Sequence, residues 1–122
     1  MKTLEDTGSP IDFERLREVS DDDAEMINEL IELYFSQTSE QLDGLEKAIA
    51  VRNFDSMHRA AHKIAGSSLT CGMNAIVPPI RELEQSGRNQ TAENAERLFA
   101  EAQQAFERMK EFLQTNKKQL FN

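Results

Sequence analysis

Residues Ile27–Val51 read INELIELYFSQTSEQLDGLEKAIAV. Ile27, Leu30, Ile31, Tyr34, Thr38, Leu42, Leu45 and Ile49 recur every three or four positions. At about 100° per residue that spacing gathers them into one stripe of a helix. A long helix that is apolar on one side only needs other helices to cover that side.

The flanking sequence supplies them. Upstream, SPIDFERLREVS (Ser9–Ser20) places a proline near a helix start and predicts a short helix from about Asp12 to Val19, carrying Phe13 and Leu16. The following Ser20–Asp23 cluster is an N-cap whose acids favour the positive end of the long helix. That helix ends near Val51, with RNFD (Arg52–Asp55) as the turn. Phe54, Met57, Ala61, Ile64, Ser68 and Cys71 mark the inner stripe of a third helix, closed by Gly72. A fourth lies within MNAIVPPIRELEQSG (Met73–Gly87). Its Pro78-Pro79 pair calls for a kink or a true start near Pro78, and Gly87 ends it. Ala95, Leu98, Ala102, Ala105, Met109 and Phe112 form the seam of a last helix from about Thr91 to Gln114. No strand pattern is present. The fold class expected is all-α: an antiparallel four-helix bundle, up-down-up-down, with a short additional N-terminal helix.

The totals agree. A chain of 122 residues, 39% hydrophobic and 30% charged, fits one globular domain over 1–122, with a core of about 10–115 and loosely ordered termini. A net charge of −8 argues against nucleic acid or an anionic membrane surface as partner. The single cysteine makes no internal disulfide, which suits a reducing cytoplasm. The N-terminus is polar and no apolar run is long enough to span a bilayer, so a cytoplasmic location is expected. A monomer is the default.

One stretch is richer in chemistry than a bundle requires. MHRAAHKIAGSSLTCG (Met57–Gly72) holds both histidines, two of the five glycines and the only cysteine. With His62 set at zero on the helical wheel, Met57, Ala61, Ile64 and Ser68 fall roughly 100–160° to one side. His58, Gly66 and Leu69 lie within about 40° of His62. His62 is therefore on the outer face. Gly66, one turn on, costs about 1 kcal/mol against alanine in a helix interior. On an outer face that glycine clears room for another molecule to approach the imidazole. Lys63 and Arg59 put positive charge on the same flank, though for Arg59 a solvated face is the preferred reading. Ser67 and Ser68 read first as small packing residues, with a hydroxyl in reach of an anionic group as the alternative.

AAHKIAGSS (Ala60–Ser68), with the helix order around it, resembles the histidine-containing phosphotransfer (HPt) domain of two-component phosphorelays. Ala61, His62, Gly66, Ser67, Ser68 and Gly72 match the family pattern, and the likeness extends along nearly the whole chain. One position departs. The family usually carries lysine three residues after the histidine, where this chain has Ala65, and a lysine stands instead at Lys63. By spacing, the family's imidazole-binding Gln or Glu of the next helix falls on Glu84, and a basic residue one turn later on Arg88.

The resemblance implies that His62 accepts a phosphoryl group from a receiver-domain aspartate or a hybrid sensor histidine kinase and passes it to a response regulator. Glu84 would orient the imidazole, and Lys63, Gly66, Ser67 and Arg88 would shape the phosphoryl environment or the docking surface, together with Leu69 and Met73. Imidazole, with an unperturbed pKa of about 6.5, offers a neutral nucleophilic nitrogen at cell pH. The chain has no Gly-rich phosphate loop and no acidic trio at a strand end. It therefore reads as a phosphoryl carrier with no kinase activity, cofactor or metal of its own. Three rivals remain. His58 and His62 have the i, i+4 spacing of a helical zinc site, but no third histidine exists to join them. A non-phosphorylated adaptor bundle that binds receiver or kinase domains is the alternative that Ala65 favours. Cysteine nucleophile chemistry is disfavoured because Cys71 falls on the core side.

Overall fold

A computed structural model describes residues 9–120 of the chain. All regular structure among them is helical: α1 (Phe13–Val19), α2 (Ala24–Ala50), α3 (Phe54–Thr70), a 3₁₀ turn (Asn74–Ile76), α4 (Val77–Arg88) and α5 (Ala95–Leu120). The expectation of loose termini beyond those residues lies outside what is described. No described helix is long and apolar enough to cross a membrane.

The starts of these helices are written locally. Asp12 accepts from the Arg15 amide, Asp23 from those of Glu25 and Met26, and Asn53 from that of Ser56, each satisfying orphan donors of a first turn. Pro78 and Pro79 fall in the first turn of α4, where their missing N–H groups have no intrahelical acceptor to lose. The helix therefore starts at the proline pair, and no kink is needed.

Three boundaries differ from the sequence expectation. The last helix starts at Ala95 instead of Thr91, because Thr91 Oγ1 accepts from the Glu93 amide and Asn94 takes a φ of +65°, making Thr91–Asn94 a turn. It then runs past Gln114 to Leu120, with non-helical dihedrals at Asn116. The fourth helix does not stop at Gly87 but at Arg88, and Gly87 is buried inside it.

The predicted stripes form the core. Ile27, Tyr34, Thr38, Leu42, Leu45 and Ile49 of α2 are buried, with Met57, Ala61, Ile64 and Ser68 of α3 and Leu98, Ala102, Ala105 and Met109 of α5. α3 packs chiefly on α4 and α2, and α4 on α5. Between α2 and α3 one polar pair is enclosed: Tyr34 Oη lies 2.7 Å from Ser68 Oγ. Burial pushes the Tyr34 hydroxyl up to about 12 against the opposing pull of the Ser68 bond, so it stays neutral. α1 closes the far end of α3. The Asp12 amide donates to Gly72 O at 2.7 Å and Arg15 Nε to Thr70 O at 3.1 Å. Gly72 has a φ of +74°, and a Cβ there would meet Asp12 O at 2.6 Å, so only glycine fits.

Candidate functional site: the His62–Glu84–Arg81 cluster

The site arises where α4 crosses α3. Gly87 makes that crossing close: a Cβ on it would lie 2.6 Å from the His58 amide nitrogen and 2.8 Å from Phe54 O. His58 Nδ1 then comes within 3.3 Å of Glu84 O, tying a ring on α3 to the backbone of α4. One turn along α3 from His58, the Glu84 side chain reaches His62, with Oε2 at 2.7 Å from Nδ1. The other oxygen, Oε1, accepts from Arg81 at 2.6 Å.

The three side chains differ sharply in exposure. His62 is 67% exposed and Arg81 43%, whereas Glu84 is only 9% exposed. Burial alone pushes the Glu84 carboxyl up. The hydrogen bonds from His62 and Arg81, and the charge of the guanidinium, outweigh it and hold the group below the usual carboxylate range. An ionised carboxylate only accepts hydrogen bonds, so Nδ1 of His62 carries the hydrogen. Nε2 has no hydrogen-bond partner among the described residues, and in this tautomer it holds the ring's basic lone pair.

The outer face of α3 around His62 is open. A Cβ on Gly66 would meet no atom within 4 Å, so no neighbour in this chain requires a glycine there. Leu69 is 46% exposed beside it. Lys63 is exposed and forms no ion pair among the described residues, whereas Arg59 is engaged by Asp55 at 3.0 Å. Ser67 turns its hydroxyl back to Ile64 O, and Ser68 is spent on Tyr34. Met73, expected on the docking face, is instead fully buried and cannot serve there.

Ala65 is fully buried as well. Arg88 is exposed and bonds to neither His62 nor Glu84 among the described residues. The cation that reaches Glu84 is Arg81, which sequence reasoning passed over. Its signal was the i, i+3 spacing of Arg81 and Glu84.

The rings of His58 and His62 stack with centroids 6.2 Å apart, but their Nδ1 atoms go to the backbone and to the carboxylate of Glu84. No group of three or more His, Cys, Asp or Glu among the described residues is arranged to hold a metal. Cys71 is buried, which pushes its thiol up and away from reactivity.

A family model described as the Hpt domain matches residues 29–113, from early α2 into α5. Among solved structures, the chain is similar to the crystal structure of histidine-containing phosphotransfer protein B (HptB) from Pseudomonas aeruginosa PAO1. The TM-score is 0.80 at 20% identity, covering 89% of this chain and 96% of that one. At that identity the likeness bears on the fold alone. No curated protein matches the chain.

Proposed function

The chain belongs to the Hpt domain family, and on that premise we propose that it is a phosphorelay intermediate with His62 as its phosphoacceptor. A receiver-domain aspartate or a hybrid sensor histidine kinase supplies the phosphoryl group, and a response regulator receives it. The observation that carries this is the pairing of a 67% exposed imidazole with a buried carboxylate 2.7 Å from its inner nitrogen.

The chemistry follows from that pairing. The Nε2 lone pair attacks the phosphorus of an aspartyl phosphate. The P–O bond to the carboxyl breaks, and its electron pair returns to the aspartate. Nδ1 keeps its hydrogen, so the ring takes up a positive charge, which the Glu84 carboxylate faces directly. The reverse sequence, with a second aspartate attacking, unloads the histidine. Phosphoryl transfer of this kind depends on positioning and charge neutralisation, and the receiver supplies its own. The chain acts as a carrier and not as a kinase.

Gly66 and Leu69 form the centre of the docking surface, with Lys63 at its edge. α2 to α5 run up-down-up-down, joined by short turns, with α1 packed at one end, and the chain works as a single cytoplasmic domain.

Incubation with a phosphorylated receiver domain tests the proposal. Acid-labile, alkali-stable label is expected on the wild type and absent from His62→Gln. A wild type that takes no label across a panel of receivers leaves the adaptor role in its place. Gly66 gives a second prediction. Gly66→Ala adds a methyl into open space and gains up to about 1 kcal/mol of helix stability. That raises the melting temperature by about 4 °C for a chain of this size. The same methyl sits where the receiver docks, so transfer slows while stability rises. Loss of stability in this variant would mean that the face is packed within the chain.

A further inference from the structure

Arg81 and Glu84 are one turn apart on α4, and an ion pair at that spacing on a helix surface usually contributes little. Two features set this one apart. Glu84 is 9% exposed, and both its oxygens are committed, one to each helix. A carboxylate withdrawn from water that far needs a compensating charge as well as hydrogen bonds. His62 supplies a hydrogen bond through its Nδ1–H, whereas the guanidinium supplies a charge that is always present. His58 contacts only the backbone carbonyl of Glu84, Arg59 is engaged by Asp55, and neither Lys63 nor Arg88 bonds to the carboxylate among the described residues. The compensating cation is Arg81.

We infer that Arg81 is a positioning residue for the phosphoacceptor: its guanidinium holds one oxygen of Glu84, keeping that carboxylate an acceptor aimed at His62 Nδ1 and thereby leaving the Nε2 lone pair facing outward. The consequence of losing it is chemical. A desolvated Glu84 without its cation takes up a proton and can donate to Nδ1. The hydrogen of the imidazole then moves to Nε2, and the outward nitrogen has no lone pair with which to attack phosphorus. Arg81 acts through Glu84 and touches neither the imidazole nor the phosphoryl group in this role. The inference rests on His62 being the phosphoacceptor, but its first test needs no phosphoryl group.

That test is the ¹⁵N spectrum of the His62 ring in the unphosphorylated protein at neutral pH, assigned against His62→Gln. The wild type is expected in the Nδ1–H form. Arg81→Lys, which keeps the charge, retains that form. Arg81→Gln shifts the ring toward Nε2–H, and its rate of label uptake from a phosphorylated receiver falls about tenfold. Arg81 is 43% exposed, so Arg81→Lys is expected to keep the wild-type melting temperature, whereas Arg81→Gln, which strips Glu84 of its charge partner, folds but melts lower. Arg81→Gln with an unchanged spectrum and an unchanged uptake rate overturns the inference. If the ring form responds as stated but no protein, wild type included, takes up label, the phosphoacceptor role falls and the positioning by Arg81 stands.

Discussion

Gly87→Ala is expected to destabilise the protein by about 2 kcal/mol, lowering the melting temperature by about 8 °C, and to slow phosphoryl uptake by up to about a hundredfold. The added carbon would sit 2.6 Å from the His58 amide nitrogen, 2.8 Å from Phe54 O and 3.0 Å from His58 Cα, all of them backbone atoms of α3. No rotamer change moves them, so the helices must part by roughly 1 Å to restore an ordinary contact. Overpacking of that kind costs about 1–3 kcal/mol, from which alanine's better helix propensity recovers up to about 1. The crossing also carries the His58–Glu84 contact and, through Glu84, the 2.7 Å bond to His62. Displacing α4 therefore disturbs the nucleophile without touching it. Thermal unfolding and label uptake on the same sample check both parts. A wild-type melting temperature would mean that α4 does not lie this close to α3. The contrast with Gly66, whose substitution to alanine stabilises, separates the two glycines by what each faces.

Those glycines also mark where sequence reading ends. The repeat of Ile27 to Ile49, the Asp23 cap and the inner stripe of α3 were legible because helix periodicity and capping are local properties. Gly87 was read as a helix stop, since a terminating glycine and a close-contact glycine look alike until the neighbouring helix is in place. Asn94 hid a left-handed turn inside a stretch that propensity would extend as helix. The wheel put His62 outside correctly, but it could not show that Ala65 and Met73 are covered, because an angle does not say which element lies over it. Glu84 was reached only through family spacing. Arg81 escaped because a pair at i, i+3 gains meaning only once one partner is buried and its second oxygen is directed at the histidine.

Glu84→Ala and Glu84→Gln are expected to separate geometry from charge. The alanine variant removes the acceptor of both His62 and Arg81, but those partners are 67% and 43% exposed and regain water. Stability is then expected to change by no more than about 1 kcal/mol, whereas label uptake falls about a hundredfold. The glutamine variant keeps the shape but offers one acceptor oxygen to two donors. If that oxygen stays with Arg81, the amide N–H faces Nδ1 and demands the wrong tautomer. A loss of about tenfold is expected, and Arg81→Gln in the same chain recovers part of it by freeing the oxygen for His62. Acidification provides an independent check. The folded protein holds the Glu84 carboxyl below its ordinary value, so the stability it contributes is present above the unfolded value and disappears as pH falls through the lowered folded one. The urea-unfolding difference between wild type and Glu84→Gln should therefore narrow on acidification through that range. A difference that instead shifts in favour of the wild type on acidification would mean that Glu84 is already neutral in the native protein, and the hydrogen on His62 would then belong on Nε2.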